Sequence, residues 1–227
     1  GYAQDHKRVF DGDVGPNTGG MGCVLNPSIV DENIKKQVEE IFRKAIDGLR
    51  EEGRPYTGVL YLGGMIVSGK GLPAGRQVFV IEFNARWGDP EAQVIIPAIK
   101  NDFVEIANAI IFRKLSWLKL NVDKAVRVVV AATSKGYPLD YSKVKGKNIF
   151  GIDKAVKTGV KVYGAGVKKE GNKWIVSGGR VLYIVGEGKD VVEARNGAYK
   201  GMAQISIEGD NLHFRTDIGW RDMERLK

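Results

Sequence analysis

A single cysteine, Cys23, excludes any disulfide within these 227 residues. So little thiol fits a reducing compartment. With no histidine beside it, Cys23 reads as a small core or semi-buried side chain rather than a nucleophile. Long apolar runs are missing as well: none reaches the roughly 18 residues that span a bilayer. The opening Gly1-Tyr2-Ala3-Gln4-Asp5-His6 has no apolar signal-peptide core, so the cytoplasm is the expected location and no membrane partner is expected. It also lacks an initiator methionine, so the chain reads as processed, tagged or cut from something longer. Acidic residues are the scarcer charge, 27 against 35 basic, for a net +8. That excess permits an anionic partner. The basic residues are scattered, however, with a modest concentration at 143–173, and aromatics do not interleave with them. Nucleic acid is therefore not an expected partner, and a solvated basic surface is the default.

Glycine, by contrast, is abundant. After the polar runs Asp5-His6-Lys7-Arg8 and Asp11-Gly12-Asp13 comes Gly15-Pro16-Asn17-Thr18-Gly19-Gly20-Met21-Gly22. Such glycine density argues against a helix or an ordinary strand. A loop of this kind can turn successive N–H groups toward an anion. It is not a Walker loop, because no Lys-Ser/Thr follows the last glycine. A mobile surface loop is the plain alternative.

The chemistry concentrates in Val78-Phe79-Val80-Ile81-Glu82-Phe83-Asn84-Ala85-Arg86-Trp87-Gly88-Asp89-Pro90-Glu91. Alternation predicts a core strand with Phe79, Ile81 and Phe83 on one face and Val78, Val80, Glu82 and Asn84 on the other. An acid in so apolar a run calls for a cation. Glu82 and Asn84 offer hard oxygens of the kind Mg²⁺ takes, and Arg86 could grip a phosphate with both arms. Asp89-Pro90-Glu91 reads as a helix start with proline in first position. The plainer reading is a buried Glu82–Arg86 ion pair.

Around this stretch the pattern predicts a helix of roughly 18 residues capped by Asp31 and ending near Gly53. A strand at 57–67, a turn at 68–76 and a return strand at 77–84 make a hairpin. Gly63-Gly64 marks a close approach by backbone or ligand. Helices at 90–99 and 102–114 follow, with Phe103, Ile106 and Ile110 expected in the core. A boundary is expected at 116–124. Beyond it, strands at 125–132, 160–165, 174–177 and 180–185 precede a helix from Asp190 to about 207.

Five motifs, in order, resemble glycinamide ribonucleotide synthetase, the phosphoribosylamine–glycine ligase family of the ATP-grasp superfamily. They are the Asp5–Gly22 polar and glycine run, the Ile81–Glu91 run, Ser134-Lys135-Gly136-Tyr137-Pro138, Ser177-Gly178-Gly179-Arg180-Val181-Leu182 and Arg215-Thr216-Asp217-Ile218-Gly219-Trp220-Arg221. The resemblance implies an α+β chain: the C-terminal part of an ATP-grasp core (1–120), then a small β-rich, barrel-like domain with one packed helix (121–227). It implies a purine-synthesis ligase that joins glycine to 5-phosphoribosylamine through a glycyl phosphate, giving ADP and phosphate. Glu82 and Asn84 would hold Mg²⁺ (or Mn²⁺) on ATP, and Arg86 would steady the transferring phosphoryl group. Asp11, the eight residues from Gly15 to Gly22, and Asp89, Pro90 and Glu91 would frame the substrates, with His6 and Lys7 as further contacts. One departure stands out: Gly164 occupies a place where the family often carries histidine.

The resemblance covers only about the C-terminal half of such a synthetase. The expected partners are thus the small-molecule substrates and the missing N-terminal half, and the chain alone is expected to be inactive. Two alternatives remain open: another ATP-grasp carboxylate–amine ligase, and a non-catalytic anion-binding module.

Overall fold

The computed structural model describes residues 1–72 and 75–227; Pro73 and Ala74, inside the expected 68–76 turn, lie outside the described residues. In chain order the elements are β1 (Ala3–Asp5), β2 (Arg8–Phe10), β3 (Val14–Asn17), β4 (Gly22–Leu25), α1 (Glu32–Glu51), β5 (Tyr61–Ser68), β6 (Arg76–Asn84), α2 (Ala92–Ile95), α3 (Phe103–Ile111), β7 (Val126–Ser134), β8 (Asn148–Phe150), α4 (Ile152–Lys157), β9 (Lys161–Gly164), β10 (Val167–Glu170), β11 (Lys173–Val176), β12 (Arg180–Gly188), α5 (Val191–Met202), β13 (Ser206–Ile207), β14 (Leu212–His213) and α6 (Trp220–Arg225). Helix and strand are mixed, as an α+β chain requires. Among the described residues no helix is long and apolar enough to cross a membrane.

The elements fall into two compact units that do not follow chain order. The first holds Gly1–Pro27, Asp89–Ile99 and Val122–Lys227; the second holds Ser28–Gly88 and Lys100–Asn121. In space, the expected boundary at 116–124 is one crossing among several. The reason is a non-local pairing. Strand β4 lies antiparallel to β7, with Gly22 opposite Val130 and Val24 opposite Val128, which draws the first strands into the sheet of the second half.

The main sheet of the first unit runs β1-β4-β7-β12-β9, with β14 also on β7, and every pairing is antiparallel. Strand β7 is covered on both faces: Val128 to Ala132 are wholly buried. Helix α5, capped by Asp190 accepting from the Glu193 N–H at 2.9 Å, lays Ala194, Ala198 and Met202 into the core. It stops at Met202 rather than near 207, where β13 takes over and pairs with β8. A four-stranded sheet, β10-β11-β8-β13, and the hairpin β2-β3 complete the unit. That hairpin corrects the all-loop reading of 15–22, since Val14–Asn17 is a short strand paired to β2. The helix expected from Pro90 begins only at Ala92, with Asp89-Pro90-Glu91 as a turn before it.

In the second unit, α1 is capped by Asp31, which accepts from the Ile34 N–H at 2.9 Å. The Gln37 amide locks the helix to β6, accepting from the Val78 N–H at 2.9 Å and donating to the Arg76 carbonyl at 3.2 Å. Strands β5 and β6 pair as the expected hairpin. Strand β6 is not the core strand its alternation predicts: Val78 is buried, but Phe79, Val80, Ile81 and Phe83 are exposed. A two-stranded sheet has too few neighbours to cover both faces. Phe103 on α3, expected in the core, is exposed as well.

The first unit is tied end to end by charge. The Arg215 side chain, fully buried, forks onto Asp217 (Nε to Oδ1 2.7 Å, Nη2 to Oδ2 2.8 Å) and donates from Nη1 to Asp13 Oδ1 at 2.8 Å and the Arg8 carbonyl at 3.1 Å. Arg221 donates to the other Asp13 oxygen at 2.6 Å, and the Gly12 N–H donates to Asp217 at 2.8 Å. Asp11 accepts from both the N–H and the hydroxyl of Thr216. Burial opposes the charge of Asp217, but the Arg215 fork and the Gly12 N–H outweigh it and bring its carboxyl down to about 2. His6 completes the clasp: buried, it accepts the Gly219 N–H on Nε2 at 3.1 Å. Desolvation, aided by the nearby Arg215 and Arg221 charges, holds the imidazole neutral with a pKa lowered to about 4.

Two outcomes follow from the clasp. Arg215→Ala strands carboxylates built around it and should lower unfolding free energy by roughly 3–5 kcal/mol; Arg215→Lys, lacking the fork, should recover only part. Urea unfolding measures both, and an unchanged midpoint in Arg215→Ala would contradict the assignment. For His6 the pKa is depressed in the folded state, so stability is complete above the unfolded value near 6.5 and falls as pH drops toward about 4. The depression corresponds to about 3 kcal/mol across that window. His6→Gln keeps an acceptor for Gly219 but has no proton to take up. Its stability relative to wild type should therefore rise between pH 6.5 and 4, whereas parallel pH profiles would refute a buried neutral imidazole.

Candidate active site

The expected site residues divide between the two units. Glu82, Asn84 and Arg86 lie in the second. Strand geometry puts Glu82 and Asn84 on one face, and the Asn84 amide donates to Glu82 Oε1 at 3.0 Å. Gly63 sits opposite Glu82 across the hairpin, beside a bulge at Gly63/Gly64. A Cβ at Gly63 would stand 3.0 Å from Glu82 Cγ, so glycine there makes room for the carboxylate arm. The close approach expected at Gly63-Gly64 is thus made by a side chain of the same hairpin. Turning the Asn84 amide about its last bond exchanges nitrogen for oxygen and aims two oxygens at one point. That donor set fits a hard divalent cation. Among the described residues no three His, Cys, Asp or Glu side chains group to hold a metal, so a cation here would complete its shell with phosphate oxygens and water. Arg86 is exposed and donates one arm to the Trp87 carbonyl at 2.9 Å. It makes no ion pair with Glu82, which removes the plainer reading of that pair.

The remaining expected residues lie in the first unit, around the turn that joins β3 to β4. The Thr18 N–H and hydroxyl both donate to the Lys7 carbonyl at 2.8 Å. The Gly19 N–H donates to the Tyr137 hydroxyl at 3.0 Å, the Gly20 N–H to Thr18 Oγ1 at 2.9 Å, and the Met21 N–H to the His6 carbonyl at 2.9 Å. Four successive N–H groups are therefore spent inside the protein. From Thr18 to Met21 the N–H groups of the turn do not face outward as those of an anion nest would. Its conformation is fixed. Gly20 has φ +115°, and a Cβ there would collide with Pro90 and lie 2.9 Å from Asp5 Oδ1.

Neighbouring residues sort by access. Asn17 pairs with Arg8 in the β2–β3 ladder, and Gly15 accepts from the Arg8 guanidinium at 2.6 Å. Pro16 lines an apolar cleft of about 360 Å³ with Val9, Phe10, Tyr137, Leu139 and His213. Gly22 begins β4, and Met21 is core. Met21 and His6 are buried, whereas Asp11 is exposed and accepts one hydrogen bond from Thr216 on each carboxylate oxygen. Cys23 is buried, and desolvation pushes its thiol well above the usual range, as an inert core cysteine requires. Lys7 remains half exposed and pairs with Asp5 at 2.5 Å. Burial, partly offset by Lys7 and reinforced by Glu91, raises the Asp5 carboxyl to about 6. Glu91 is itself buried.

Asp89 is half exposed, and its partners include three residues not singled out by composition or spacing. Tyr183 donates to Asp89 Oδ1 at 2.6 Å, Gln93 to the same oxygen at 3.2 Å, and Arg180 to Oδ2 at 3.2 Å. Arg180 also reaches the glycine turn. Its motif resemblance was legible; its contacts are non-local and carry no signal along the chain. The turn, Asp89 and Arg180 form a fixed polar wall, and the Glu82–Asn84 pair is a cation-type donor set. Both suit chemistry by positioning and charge neutralisation rather than by a covalent nucleophile.

Residues 1–92 match the model of the phosphoribosylglycinamide synthetase ATP-grasp (A) domain, and residues 125–221 match that of its C domain. Phosphoribosylamine–glycine ligase of Clostridium acetobutylicum is 41% identical over 218 residues, covering 96% of this chain and 49% of that protein. The trifunctional purine biosynthetic protein adenosine-3 of Gallus gallus is 42% identical over 221 residues, covering 96% of this chain and 21% of that one. The crystal structure of phosphoribosylamine–glycine ligase from Thermotoga maritima superposes with a TM-score of 0.75 at 33% identity, over 95% of this chain and 50% of that one. The chain thus spans about half the length of the single-function relatives, or less of the fused one. With both domain models matched in order along a chain of this fold, the protein belongs to the phosphoribosylglycinamide synthetase family.

Proposed function

We propose that this chain forms part of an ATP-dependent ligase joining glycine to 5-phosphoribosylamine, in cytoplasmic purine synthesis. The observation that carries the reading is the Glu82–Asn84 pair: two hard-oxygen side chains on one strand face, with space made by Gly63. Family membership supplies the substrates. Residues 1–120 would be the C-terminal part of the ATP-grasp domain and 121–227 the β-rich C domain, a division supported by the spans of the two family matches. The segment that precedes this stretch in the relatives would be its partner in the complete enzyme.

In the proposed reaction a glycine carboxylate oxygen attacks the γ-phosphorus of ATP and ADP leaves. The amine nitrogen of phosphoribosylamine then attacks the acyl carbon of glycyl phosphate, phosphate departs, and the nitrogen loses a proton. Glu82 and Asn84 would hold Mg²⁺ (or Mn²⁺), which neutralises phosphate charge when bound. Arg86, exposed and with one arm on the Trp87 carbonyl, would steady the transferring phosphoryl group. Lys7, half exposed and paired with Asp5, would be a further substrate contact. Gly19, Gly20, Asp89 and Pro90 would frame the substrates by shape, since the N–H groups of the turn are already engaged.

The test joins this chain to the preceding segment of a relative, as a fusion or a second polypeptide, and measures ADP release. Release should require glycine and phosphoribosylamine together. Glu82→Gln should lower kcat by roughly 10²–10³-fold, the size seen when one electrostatic stabiliser is removed, with an unchanged thermal midpoint. Release that ignores either substrate, or a fully active Glu82→Gln, would refute the proposal.

A further inference from the structure

Arg180 joins three stretches that are remote in sequence. Its Nη1 donates to the carbonyls of Gly19 (2.6 Å), Gly20 (3.4 Å) and Asp89 (2.8 Å), while Nη2 reaches Asp89 Oδ2 at 3.2 Å. The guanidinium lies 5.6 Å from the centroid of the Tyr183 ring, and the Tyr183 hydroxyl holds the other Asp89 oxygen. Gly19 is matched to this arrangement: a Cβ there would stand 2.8 Å from Arg180 Cζ. The core beneath is complete without Arg180. Strands β7 and β12 bury Val128 to Ala132 and Val181 to Val185, whereas Arg180 and Asp89 sit at the rim with 18% and 47% of their side chains exposed. A planar fork that collects three carbonyls and a carboxylate has no lysine equivalent, because one ammonium cannot face all four.

We propose that Arg180 is a positioning residue that holds the Gly19–Gly20 turn against Asp89 in the one arrangement that receives glycine and phosphoribosylamine. This rests on the ligase reading above. Arg180 acts through the turn and Asp89. Gly19 is glycine because the guanidinium occupies the space of its side chain.

A double-mutant cycle on Arg180→Ala and Gly19→Ala tests the coupling. In the joined enzyme, Arg180→Ala should raise KM for glycine or phosphoribosylamine on the order of 10–100-fold while KM for ATP stays put. Arg180→Lys should not rescue it. Gly19→Ala should act similarly by pushing the guanidinium aside, and the double variant should be no worse than either single one. Hydrogen exchange on this chain gives a readout that needs no activity: Arg180→Ala should speed exchange at Gly19 to Met21 and leave β7 and β12 protected. If the joined wild type makes no ADP in response to the two substrates, the ligase reading fails, and exchange alone still decides whether Arg180 holds the turn. Unchanged exchange overturns the inference. So do additive effects of the two substitutions, or faster exchange with unaltered KM for both substrates, which would reduce Arg180 to a structural staple.

Discussion

The first unit depends on one buried guanidinium. Arg215 sits where the turn after β2 meets the segment before α6, and both strands of chain arrive there with carboxylates. Without a cation, Asp13 and Asp217 would stand as neighbouring anions at the edge of a core, a costly arrangement. With it, the fork satisfies Asp217, Asp13 and a backbone carbonyl together. Arg221 donates to the second Asp13 oxygen and the Gly12 N–H to Asp217, while Thr216 serves the neighbouring Asp11. The hairpin β2–β3 sends Val9 into the core, and this network ties the turn that joins its strands to the segment before α6. The glycine turn hangs from the same hairpin, and its shape therefore depends on charges far along the chain.

That dependence changes how the glycine-rich motif is understood. Its glycines suggest free N–H groups waiting for phosphate. Instead, Thr18, Gly19, Gly20 and Met21 turn theirs inward to Lys7, Tyr137, Thr18 and His6. Glycine is needed at Gly20 for a left-handed backbone pressed against Pro90, and at Gly19 for the space Arg180 fills. The motif encodes a rigid contour. Recognition by contour suits substrates whose reacting ends must be brought together without a covalent link to the protein.

Much of this was legible in the sequence where the determinants are local. Asp31 and Asp190 cap helices because cap and first turn are neighbours. Glu82 and Asn84 share a face because strand periodicity is two. Strands β7, β9, β11 and β12 announce themselves by β-branched runs. The failures are equally physical. Residues 14–17 pair with β2 despite their glycine and proline, because a hairpin partner supplies the ladder that propensity does not. The burial expected for β6 and α3 was read from the spacing of apolar residues, and spacing says nothing about which neighbours are at hand. The roles of Arg180, Tyr183 and Tyr137 depend on contacts 91 to 161 residues away, which no single stretch can express.

The clasp also has a bearing on synthesis. Asp13 leaves the ribosome 202 residues before Arg215, a delay of roughly 10–40 s at about 5–20 residues per second. The second unit, complete at Asn121, can consolidate during that interval. Strand β4, by contrast, must wait for β7, and the Asp11-Gly12-Asp13 turn for the segment from Arg215 to Arg221. Over that stretch β4 has β1 but not β7 beside it, and Asp13 waits for the guanidinium that neutralises it until Arg215 emerges.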